Sequence, residues 1–170
     1  MYLRLKSFQR FTETWAMLER CGAAGLFESG GFASKGGGLR VVSLGGGPGY
    51  ELLAYDWFDR CCTMVGDKAC DAHVAGRADE WAQLTPRKVG DDTTFVSLDL
   101  QASWDTYVYK LGYEFAQWDV HATDAEAAVL GDSNRVVCML SNVMCYCTDD
   151  ETADLFTRFV LPTGVTQIGC

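Results

Sequence analysis

Glycines 45, 47 and 49 stand at alternate positions directly after the apolar run Val41-Val42-Ser43-Leu44. A residue without a Cβ lets backbone approach a ligand closely. The next segment, Glu51 to Phe58, puts Leu53 and Trp57 four apart on one helical face. Strand, glycine turn and helix form the unit that holds an adenosine-containing cofactor at the carboxyl end of a parallel sheet. The N–H groups of such a helix start favour an anionic group, a carboxylate or a phosphate. Spacing separates the ligand classes. A P-loop needs Gly-Lys-Ser/Thr, and the turn holds no lysine. The dinucleotide fingerprint needs glycine or alanine where Tyr50 stands.

The segment Leu44-Gly45-Gly46-Gly47-Pro48-Gly49 resembles the first motif of the class I S-adenosylmethionine-dependent methyltransferases, an apolar strand followed by Gly-x-Gly-Pro-Gly. The resemblance implies a Rossmann-like α/β domain that binds S-adenosyl-L-methionine and transfers its methyl group to an acceptor. It assigns cofactor contacts to Ser43, Gly45, Gly46, Gly47 and Gly49. Members usually carry an acid two residues before the first glycine, where this chain has Ser43. The family also places an acid at the end of the second strand, on the ribose hydroxyls. Asp67 and Asp99 both compete for that role. Thr94 to Leu100 makes the better strand, so Asp99 is preferred, with Leu100 beside it. The third strand, Tyr113 to Val120, ends in Asp119, which by the resemblance reaches the adenine amine, with Val120 packing on the ring. The alternative for Asp119 is a helix cap or a solvated turn carboxylate. Ser141 and Asn142 leave the fourth strand, where the family faces the transferred methyl. The Asn/Asp-Pro-Pro-Tyr/Phe pattern of base-amine methyltransferases is absent there.

The rest of the chain must position these residues. At 170 residues it has the length of one domain. Hydrophobic residues make up 48% and charged residues 22%, an ordinary globular composition. A net charge of -9 argues against a nucleic-acid partner, whose phosphates demand a basic face. The eight cysteines lack the paired spacings of structural zinc, so no metal is expected. The N-terminus has no uninterrupted apolar core like that of a signal peptide, so the thiols read as reduced in a cytoplasmic setting. No run is long enough to span a membrane.

Residues 1–39 read as an N-terminal helix and a glycine-rich connection, and 40–170 as the α/β domain with an insertion at about 61–92. In the first helix Leu5, Phe8, Phe11, Trp15 and Leu18 make an apolar stripe that packs on the sheet or caps the cleft. Ser103 is expected to N-cap a helix carrying Trp104, Tyr107, Val108 and Leu111, closed by Gly112. Thr123 to Glu126 and Thr148 to Glu151 have capping-box spacing. His121 reads as a polar loop residue, with a general-base role as the alternative. Arg135 to Leu140 and Gly164 to Cys170 read as further strands. The overall expectation is a mostly parallel sheet with helices on both faces, lacking the last strands of the seven-stranded methyltransferase sheet. Two rival functions remain. One is a non-catalytic methyltransferase-like module that pairs with a protein partner through an exposed sheet edge. The other is an NAD(P)-dependent oxidoreductase, weakened by Tyr50.

Overall fold

A computed structural model describes residues 2–24, 38–65, 93–121, 129, 131, 135–140, 143–160 and 166–169. The elements in order are α1 (Tyr2–Ala23), β1 (Leu39–Leu44), α2 (Tyr50–Val65), β2 (Thr93–Asp99), α3 (Asp105–Lys110), β3 (Glu114–Gln117), β4 (Arg135–Leu140), α4 (Asp149–Val160) and β5 (Thr166–Gly169). The sheet core runs β3-β2-β1-β4, and β5 extends it beyond β4. Among the described residues every pairing is parallel. The chain is therefore an α/β protein with a Rossmann-like sheet.

Alternation along the central strands divides two cores. On one face Leu39, Val41, Phe95, Val137 and Met139 pack with Trp15 and Leu18 of α1, Leu52, Tyr55 and Phe58 of α2, and Val108 of α3. On the other, Val42, Leu44, Val96, Leu98, Cys138 and Leu140 pack under Trp118, Val129 and Val143. β1 is buried along nearly its whole length, as a central parallel strand covered on both faces should be. Burial pushes the Cys138 thiol up to about 12, so it stays protonated and behaves as a small apolar group.

α1 is held by an aromatic cluster against α2. Phe11 stacks on Trp15 at 5.9 Å between ring centroids, Phe11 meets Trp57 edge-on at 5.8 Å, and Trp15 meets Phe58 edge-on at 5.4 Å. The packing face runs through Phe11, Thr14, Trp15 and Leu18. Phe8, expected in the stripe, is 73% exposed, because that face turns away from it. α2 is tied to the start of β3 by a buried polar network. Asp56 accepts two bonds from Arg60, at 2.8 and 2.9 Å, and one from the Tyr113 hydroxyl at 2.9 Å.

Some boundaries differ from the sequence reading. α2 runs on through Cys61 to Val65, and residues 66–92, with Asp67 and most of the expected insertion, lie outside the described residues. Ser103 is not a helix cap. The chain first makes a 3-10 turn, Ala102–Trp104, in which the Ser103 hydroxyl accepts from Gln101 Nε2. α3 starts at Asp105 instead. Gly112 does take the left-handed conformation, with φ +82°. β3 stops at Gln117, leaving Asp119 in the following loop. Thr123 to Glu126, Ser141 and Asn142 lie outside the described residues. Among the described residues no helix is long and apolar enough to cross a membrane.

Candidate functional site

The glycine turn leaves β1 over the carboxyl end of β2. Gly45 and Gly46 donate their N–H groups to the carbonyl of Leu98, at 2.7 and 3.2 Å, which prolongs the β1–β2 ladder by two bonds. The chain then reverses through left-handed glycines, with φ +64° at Gly45, +51° at Gly47 and +86° at Gly49. Only glycine adopts such values without cost.

Each glycine meets something different. Gly46 sits directly on two fully buried serines of the strands beneath. A Cβ there would lie 2.6 Å from Ser97 Oγ and 2.8 Å from Ser43 Cβ. Ser43 is thus a small floor under the turn, and its hydroxyl has no hydrogen-bond partner among the described residues. Ser97 holds the turn down by donating to Gly47 O at 3.1 Å. A Cβ on Gly49 would meet Leu111, Val108 and Tyr113 at 3.6–3.8 Å, an ordinary contact, so its left-handed φ is what calls for glycine. A Cβ on Gly47 would point between Arg10, Asp99 and Trp104, 3.6–3.9 Å away.

Those three side chains, with Lys6, Ser7, Pro48 and Tyr50, line a small cleft that opens to solvent. Asp99 is pinned at its wall. One carboxylate oxygen accepts from the Gly47 N–H at 2.9 Å and the other from the Gln101 N–H at 2.9 Å. α1 contributes Lys6, Ser7 and Arg10 to the lining. Arg10 Nη1 donates to Gly45 O and to Glu51 Oε1, both at 2.9 Å, clamping the helix to the turn. Glu51 lies fully buried in the first turn of α2, where the helix dipole and Arg10 both favour its negative charge.

The structure brings Gly47 and Asp99 together at the cleft, with Gly45 tied to its wall through Arg10. Ser43 and Gly46 support the turn from below. Leu100, Asp119 and Val120 are not among the residues lining this cleft. Leu100 is exposed, and Val120 packs at the edge of the opposite core. Asp119 is exposed and accepts the His121 N–H at 3.0 Å, the geometry of a loop turn.

Lys6, Ser7, Arg10, Tyr50 and Trp104 escaped the sequence reading as site residues. In sequence Arg10 is one more cation on the polar side of an amphipathic helix. Its partner Glu51 is 41 positions away, and no local spacing reports that pair.

A second polar cluster lies beyond β3. His121 Nδ1 contacts Glu151 Oε1 at 2.9 Å. The expected capping box is formed: Glu151 Oε2 accepts from the Thr148 N–H at 2.8 Å, and the Glu151 N–H donates to Thr148 Oγ1 at 3.3 Å. The Thr148 backbone N–H, then His121 and the Thr148 hydroxyl, hold the Glu151 carboxyl down at about 2. A depressed carboxyl stabilises the fold above its unfolded pKa, and that contribution disappears as pH falls through the folded value. Glu151→Gln should therefore lower Tm at pH 6, and the gap from wild type should close between about pH 4.5 and 2. A gap that persists unchanged at pH 2 in thermal melts would refute this account of the cap.

No family model, curated protein or solved structure matches the chain.

Proposed function

We propose that this chain binds S-adenosylmethionine in the cleft at the glycine turn and transfers its methyl group to an acceptor. The observation that carries the reading is the pinned Asp99 carboxylate beside Gly47 at the cleft wall. An acid ending the second parallel strand, next to the turn after the first, suits a ribose whose hydroxyls donate to it. The groove that a Cβ on Gly47 would fill fits a ligand that lies against backbone. The same carboxylate disfavours a dinucleotide. A pyrophosphate drawn to the turn would compete with Asp99 for the Gly47 N–H and meet its charge.

S-adenosylmethionine, when bound, supplies a methyl group already activated by its sulfonium. The chain's own part is to hold ligand and acceptor in line and to exclude water. Asp99 would hold the ribose, and Gly45 and Gly47 the path along the turn. By the resemblance Asp119 and Val120 would serve the adenine end, beyond the residues that line the cleft, and Ser141 and Asn142, outside the described residues, would face the methyl group. No catalytic residue is assigned. The acceptor is a small molecule or protein rather than a nucleic acid, given the net charge of -9. A cytoplasmic location accords with this reading.

A second reading, a non-catalytic module, draws support from β3. It is one of the two outer strands, and Glu114, Ala116 and Gln117 on it are exposed, leaving among the described residues an edge for a partner strand.

The test is calorimetry with S-adenosylhomocysteine and NAD. Wild type should bind the first and not the second. Asp99→Ala should weaken S-adenosylhomocysteine roughly ten- to hundredfold, about 1.5–3 kcal/mol, through loss of a charged hydrogen-bond acceptor. Unchanged affinity in the folded variant, or tighter binding of NAD, would overturn the reading.

A further inference from the structure

We draw no further inference here: the strongest candidate, the exposed cluster of His121, Glu151 and Thr148 at the N-terminus of α4, carries nothing because no second observation among the described residues points to a ligand there.

Discussion

Gly46→Val should lose more than about 3 kcal/mol of stability, seen as a large drop in the urea midpoint, because overpacking a closed site cannot be relieved by rotamer changes alone. The argument is one of space. Gly46 has no left-handed φ, so backbone strain is not the issue. A Cβ would stand 2.6 Å from Ser97 Oγ and 2.8 Å from both Ser43 Cβ and Oγ. Ser97 could turn aside only by giving up its bond to Gly47 O, which holds the turn down. Ser43 Cβ is fixed to a central strand paired on both sides. Gly46→Ala tests the same contact more mildly, at about 2 kcal/mol. Adding Ser43→Gly should recover part of that loss, since the two sites touch and their effects should not add. Strict additivity in the double variant would show that the serine floor is not what excludes a side chain.

Gly47→Val should have the opposite profile, a folded protein that no longer binds S-adenosylhomocysteine. Space is open at Gly47, where the nearest atoms to a Cβ are Arg10 Nη1 at 3.6 Å and Asp99 Oδ2 at 3.9 Å. That space is the cleft, so a valine fills it. The backbone strain at φ +51° adds a stability cost of about 1–2 kcal/mol, within what a domain tolerates. Binding should fall by more than about a hundredfold, the loss of roughly 3 kcal/mol of contact and approach. Calorimetry beside circular dichroism separates the two effects. Retained affinity in a folded Gly47→Val would place the ligand elsewhere. Neighbouring glycines of one motif thus do different jobs: Gly46 closes onto the sheet, and Gly47 opens onto the cleft.

The sequence by itself placed β1, α2, β2 and β4 in their order along the chain. The run Leu39 to Leu44 is apolar because β1 is buried on both faces, so a short continuous apolar stretch was enough to find it. The choice of Asp99 over Asp67 to end the second strand rested on the strand pattern of Thr94 to Leu98, and β2 runs parallel to β1 through those residues. Thr148 and Glu151 could be paired from spacing, since a capping box is made within one turn of helix.

Only the tertiary structure decided which residues meet at the cleft. α1 carries Lys6 and Arg10 to a turn more than thirty residues away, and the Arg10–Glu51 pair fixes it there. Hydrophobic periodicity names the face a helix buries, but not which polar residue at its margin will find a partner. The same limit applied to Phe8, which fits the stripe by spacing and lies outside the contact face. Asp119 stands just past the end of β3. Its distance from Asp99 fits one strand-helix-strand step, yet β3 ends two residues early, at Gln117. One oxygen of its carboxylate accepts the His121 N–H of its own loop. Sequence spacing counts residues along the chain, whereas a site is set by where strands stop and how helices lean on them, and those follow from packing between distant segments.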